Sequence, residues 1–262
     1  MSSNEKLLIT LENGVKKITI NRPERRNSVD GETVELLRAE IEKSAEDESR
    51  VLVLTGAGDA FCAGADLQAG GGGNITDLDV TAVLRERTNP TIIAMRKLSK
   101  PIIARVHGPA VGVGCNYALA CDMIIASDQA SFGQVFVRIG LMPDGGSTYF
   151  LPRIVGYAKA FELMATGDII NASDALALGL VNRVVPLDEL DSVVDSLAQR
   201  LASSPSVAIA KIKEGLNYGA TSDLASALDF EAVNQADCFR SADFREGVMA
   251  FREKRKPHFT GK

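Results

Sequence analysis

Residues 100–122 read KPIIARVHGPAVGVGCNYALACD. The apolar run Ile102 to Val106 predicts a short buried strand, and His107-Gly108-Pro109 predicts a turn. A glycine-punctuated segment then leads into a helix of small residues from about Val113. A strand that passes through a tight turn into a helix mouth is the building unit of an α/β fold. Its exposed backbone N–H groups favour negative charge on a ligand or intermediate, while close packing of two backbones is the plainer account of the glycines.

The flanking chain repeats this alternation. Upstream, Leu7 to Glu12 and Val15 to Ile20 are β-rich runs around Asn13-Gly14, which predicts an opening hairpin. Val34, Leu37 and Ile41 have helical spacing in a helix ending near Asp47, and Val51 to Leu54 reads as a short buried strand. A second glycine-alanine turn, Cys62 to Asp66, follows that strand. Gly70 to Gly73 predict a mobile loop, and Thr76 to about Leu98 a longer helix kinked or broken at Pro90.

Downstream, Met123 to Ala126 predicts another strand, and the turn residues Pro143 and Asp144-Gly145-Gly146 precede helices after Asp144 and Gly156. NASDALALGLVNRVV reads as a helix capped by Ser173 and stopped by Gly179, then a strand. Beyond Pro186 only helical periodicity remains, broken at Ser203-Ser204-Pro205, near Gly219 and around Ser241. The pattern divides the chain into an α/β core over residues 1–195 and a helical region over 196–262.

With 262 residues and 45% hydrophobic content, the chain can build a sizeable core without a disulfide or metal staple. Lys and Arg number 29 against 34 Asp and Glu, so a net charge of −5 argues against nucleic acid as a partner. Cys62, Cys115, Cys121 and Cys238 form no CxxC pair and no ligand spacing with His107 or His258, which predicts reduced, mostly buried thiols and no metal site. No apolar run approaches a membrane span, and the N-terminus lacks a signal pattern, so a soluble cytoplasmic protein is expected. Gly112 and Gly114 could open a dinucleotide site, but Tyr117 stands where its third glycine belongs. The phosphate-loop, HExxH and GxSxG patterns are absent.

Two glycine turns, each following a short strand, could aim one N–H apiece at a single carbonyl oxygen. At these residues the sequence resembles the crotonase, or enoyl-CoA hydratase/isomerase, superfamily. The resemblance rests on FCAGADL, KPIIARVHGPAVGVGC, ALACDMIIAS, FGQ, GLMPDGGSTYFLPRIVG and EGVMAFREKRKPHF, in that order over nearly the whole chain. It implies a superhelix of ββα units with a C-terminal helical trimerisation region, assembled as trimers or dimers of trimers. It further implies acyl-CoA thioester substrates, with coenzyme A part of the substrate and no separate cofactor. The oxyanion donors would be the N–H groups of Ala65 and Val113. Ala63, Asp66 and Leu67 would lie beside the adenine, Arg25 and Arg26 near the CoA phosphates, and Phe251 and Lys254 would reach in from a neighbouring subunit. A solvated turn and a solvated basic helix end are the plainer accounts of the two arginines and Lys254.

Hydratases of this family use two glutamates, and both are missing: Asn116 stands at the first position and Phe136 at the second. An amide takes up no proton at useful pH, so Asn116 is left to hold a water or a substrate oxygen, and Phe136, with Val135 and Met142, to shape the acyl pocket. Asp144 occupies the position of the aspartate base in isomerase branches that include the ring-epoxide phenylacetyl-CoA isomerases. The resulting expectation is an enoyl-CoA isomerase with Asp144 as acid and base. An atypical hydratase and a catalytically silent acyl-CoA binder are the alternatives, and a simple helix cap is the plainer account of Asp144.

Overall fold

The computed structural model describes residues 5–69 and 78–262. The expected loop at 70–73 and the start of the expected helix at 76 lie outside the described residues. The chain opens with the hairpin β1 (Leu7–Glu12) and β2 (Val15–Ile20), in which Asn13 and Gly14 both take positive φ. Helix α1 (Gly31–Lys43) starts where the Asp30 carboxylate accepts the Thr33 N–H at 2.8 Å, and β3 (Val51–Gly56) follows.

The predicted long helix is broken into α2 (Val80–Val83), a wide turn over Leu84–Thr88, and α3 (Asn89–Lys97). Pro90 sits in the first turn of α3, where its missing N–H removes no helix bond. The segment that decided the fold gives β4 (Ile102–Val106), β5 (Pro109–Val111) and α4 (Val113–Ala120). Then come β6 (Met123–Ser127), β7 (Ser131–Gly133), α5 (Ser147–Val155), α6 (Tyr157–Thr166), β8 (Ile169–Asn171), α7 (Ala172–Ala177) and β9 (Arg183–Val185). Four helices close the chain: α8 (Leu190–Ala202), α9 (Ser206–Gly219), α10 (Leu224–Arg240) and α11 (Ala242–Glu253).

The strands form a large sheet in the order β1-β2-β3-β4-β6-β9, parallel except for the hairpin, and a small sheet in the order β5-β7-β8. At β4–β5 and again at β6–β7 the chain gives one strand to the large sheet and the next to the small one before turning into a helix, which is the ββα repeat. Both faces of the large sheet are covered, so β3 is buried at every position. Leu52 and Leu54 face a core containing Leu37, Met95 and Tyr117. Val51 and Val53 face Leu190, Val194 and Leu197 of α8.

That second core corrects the expected boundary. Residues 195 and 196 lie inside α8, whose apolar stripe covers the sheet, so the change to a purely helical region comes after Ala202. The first helix of that region is clamped to the core. The Lys213 ammonium is buried and donates to the carbonyls of Met95 and Lys100 and, at 2.8 Å, to the Asp122 carboxylate. A second correction is local: Asn171, not Ser173, caps α7, its side chain accepting the Asp174 N–H, while Gly179 follows the helix with positive φ as expected.

Candidate active site

The two glycine turns meet. Cys62 and Ala110 form a parallel bridge, with the Cys62 N–H donating to Pro109 and the Val111 N–H to Cys62. A Cβ added at Gly114 would lie 2.2 Å from the Cys62 carbonyl oxygen, and one at Gly64 would lie 3.0 Å from that of Val111. Gly64 and Gly112 also take positive φ, so both close approach and backbone conformation select glycine here. The turns are pinned from behind: Val29 donates to Gly64, Asp66 to Val29, and Gly112 to Gly133.

Beside these bonds, the N–H groups of Ala65 and Val113 donate to no acceptor among the described residues. Val113 is the first residue of α4, whose Gly112 N-cap supplies no side-chain acceptor. Two such donors on adjoining turns have the chemistry to hold one developing oxyanion, the second reinforced by the positive end of a helix.

Asp144 comes to the same place. A Cβ at Gly145 would stand 3.3 Å from both the Val113 side chain and the Asn116 amide, so the Asp144-Gly145 backbone lies against the first turn of α4. Helix α5 starts at Ser147, with no side-chain hydrogen bond at its N-cap. The Asp144 carboxylate is therefore not a helix cap. It is half-buried, one of its oxygens is enclosed with no hydrogen-bond partner among the described residues, and burial pushes its pKa up.

Asn116 is fully buried and both ends of its amide are used: Nδ2 donates to the Asp144 carbonyl at 2.8 Å, and Oδ1 accepts from Gln134 Nε2 at 2.7 Å. The amide donor expected to hold a water or substrate oxygen is thus engaged within the protein. Phe136 is buried with its ring edge near Gly112, Val135 is half-buried, and Met142 is 74% exposed.

The outer residues divide into two groups. Ala63 donates its N–H to the Arg26 carbonyl, which sets the exposed Arg25 and Arg26 beside the first turn, and Arg25 reaches the Gln68 side chain. Leu67 is exposed, whereas the Asp66 carboxylate is tied to the Arg22 guanidinium at 2.7 Å, leaving its backbone as the part that faces outward. Burial alone would raise the Asp66 pKa, but the Arg22 hydrogen bond and charge outweigh it and hold the carboxyl low. Phe251, 86% exposed, and Lys254, exposed in the left-handed region, sit on and just after α11, which packs chiefly on α10. Within one chain they are not part of the cluster.

Gln134 and Arg22 carry structural roles at the site that the sequence did not assign. The FGQ motif contains the first, and a lone polar residue between Gly133 and Val135 was its only signal. A cavity of about 580 Å³ lies elsewhere, between Lys17, Arg105, His107 and Asp191. Three of the four cysteines are buried and all are free, burial pushing the Cys62 and Cys115 thiols up to about 12.

A spiral of strand pairs and helices whose adjoining glycine turns carry two N–H groups unused among the described residues, near a half-buried aspartate, is the architecture of a crotonase-fold protein. Residues 10–262 match the family described as enoyl-CoA hydratase/isomerase. A probable enoyl-CoA hydratase of Rhodobacter capsulatus is 42% identical over 252 residues, 96% of each chain. The 1,2-epoxyphenylacetyl-CoA isomerase of Escherichia coli is 41% identical over 263 residues, 98% of this chain and 99% of that one. The crystal structure of an enoyl-CoA hydratase from Bacillus anthracis superposes with a TM-score of 0.93 at 34% identity, covering 98% and 100% of the two chains. The chain belongs to the enoyl-CoA hydratase/isomerase family.

Proposed function

We propose that this protein is an enoyl-CoA isomerase. The observation that carries the proposal is the Asp144 carboxylate: half-buried, uncapping, with an oxygen that has no partner among the described residues, and borne on backbone packed against Val113. In the reaction, the thioester carbonyl oxygen accepts from the N–H groups of Ala65 and Val113. Asp144 takes a proton from one carbon, and the released electron pair moves through the conjugated system onto that oxygen as an enolate. The enolate collapses, a different carbon takes the proton back from Asp144, and the double bond has moved with no net gain or loss of atoms.

Burial suits the role, because a carboxylate whose pKa is raised is a stronger base once ionised. Phe136 supplies an apolar wall where a hydratase would need an acid, and the likeness to an isomerase of epoxyphenylacetyl-CoA points the same way. Val135 and Met142 complete the acyl pocket in this reading. Ala63, Asp66 and Leu67 present backbone and apolar surface to the adenine, with Arg25 and Arg26 toward the phosphates. Phe251 and Lys254 act in a neighbouring subunit of a homotrimer or dimer of trimers, and the helices after Ala202 form the assembly region. No cofactor beyond the substrate's coenzyme A takes part.

The test is Asp144→Asn on a panel of enoyl-, dienoyl- and aryl-CoA thioesters in deuterated water, followed by mass detection. The expected result is retained acyl-CoA binding with isomerisation and deuterium exchange reduced at least about a hundredfold, the scale of a lost acid-base group. Water addition by the unmodified protein would make it a hydratase, and no change in any thioester would make it a silent binder. Full isomerisation by the Asn variant would remove Asp144 from the mechanism.

A further inference from the structure

We propose that Gln134 and Asn116 are positioning residues for Asp144, a two-amide relay that sets the base in register with the Val113 donor; the inference rests on the isomerase reading above. The chemistry of the contacts fixes both amides. A carbonyl oxygen only accepts, so the group 2.8 Å from the Asp144 carbonyl must be the Asn116 NH₂. Its oxygen then faces Gln134, which must present its own NH₂ at 2.7 Å. Both side chains are buried, so water offers neither amide a ready substitute partner.

The turn that carries Asp144 needs such a restraint. Gly145 and Gly146 both take positive φ, and two consecutive glycines leave the backbone after Asp144 free to swing. Its carbonyl is held by three donors: Asn116 Nδ2, and the N–H and hydroxyl of Ser147 at 3.1 Å each. The Ser147 bonds close the turn on itself, whereas the Asn116 bond ties it to another element. Asn116 lies in the first turn of α4, its own N–H reaching the Gly112 carbonyl, so one helical turn presents both the Val113 N–H and the amide that locates the base. Gln134 closes the loop, because it follows Gly133, whose carbonyl accepts the Gly112 N–H. The amide at 116 is thereby required as an amide: a carboxylate there has no hydrogen to offer the Asp144 carbonyl.

Gln134→Met keeps the side-chain length and removes the donor. The expected result is a folded protein whose kcat for double-bond migration falls about ten- to a hundredfold, the scale of a small misplacement of a reacting group, with KM changed less than about twofold. The acid limb of its kcat-pH profile should move to lower pH, because a released carboxylate reaches water and loses the burial that raised its pKa. A folded variant with unchanged kcat and acid limb overturns the relay, as does a rise in KM that matches the fall in kcat. Should Gln134→Met not fold, Asn116→Leu, which removes the relay at its middle, is read by the same split and the same limb. Failure of the underlying reading is distinct: Asp144→Asn would keep isomerising, whatever Gln134 variants do.

Discussion

At the scale of single residues, the site is built from groups that the surrounding structure leaves unsatisfied. Asp144 sets a stability cost as well as a reactivity. Its folded pKa lies above the ordinary carboxylate value of about 4, so the protonated folded form is favoured below that value, and this contribution is lost as pH rises through the folded pKa. Asp144→Asn should therefore raise the stability to urea at pH 7 by about 0.5–2 kcal/mol on the scale of relieved active-site strain, and the gain should vanish below about pH 4. Urea melts of both proteins across that range check the sign; a gain that persists at pH 3 would exclude titration of Asp144 as its source. The same group sets the acid limb of kcat, which should lie above pH 4. That Asp144 is the base candidate was readable from LMPDGG; that it caps nothing was not, because a cap depends on where α5 starts, two residues beyond the position that the turn glycines suggested. The Asn116 amide was visible as a missing carboxylate, but its engagement by Gln134 and Asp144 joins residues far apart in sequence and carries no local pattern.

At the scale of elements, legibility followed length and chemistry. The hairpin was announced by Asn13-Gly14, and the breaks between α8, α9, α10 and α11 by Ser203-Ser204-Pro205, Gly219 and Ser241. Strands β5, β7 and β8 were not announced, since three residues cannot display a period of two, and they form the small sheet that holds the turn at Gly112 to Gly114. The boundary at 195 failed because α8 has the periodicity of the tail yet packs on the sheet; an amphipathic helix does not encode what its apolar stripe will face. The joint between tail and core is a buried ion pair. Lys213→Met would leave Asp122 with only Arg96 at 3.4 Å and the Ile102 N–H as partners and take the ammonium from the Met95 and Lys100 carbonyls, and should cost about 1–3 kcal/mol. Thermal melts measure the loss, and early proteolysis within residues 203–262 would locate it at this joint.

At the scale of the whole molecule, one chain leaves its helical region incompletely covered. Leu216 and Leu224 are more than 70% exposed and Phe251 on α11 is 86% exposed, apolar side chains suited to burial between subunits. For the proposed trimer or dimer of trimers, Leu216→Glu combined with Phe251→Glu should shift the sedimentation profile toward monomer and raise KM for acyl-CoA, with little change in helix content. A wild-type protein that sediments as a monomer would refute the assembly. Among the described residues no helix is long and apolar enough to cross a membrane. The bridge between Cys62 and Ala110 has a further consequence, in time. It joins chain segments that β3, α3 and β4 must first bring together, and such distant closure is slow compared with helix formation. During refolding, then, the circular-dichroism signal of the helices should return before turnover does, and the lag between the two would clock the moment at which the glycine turns meet.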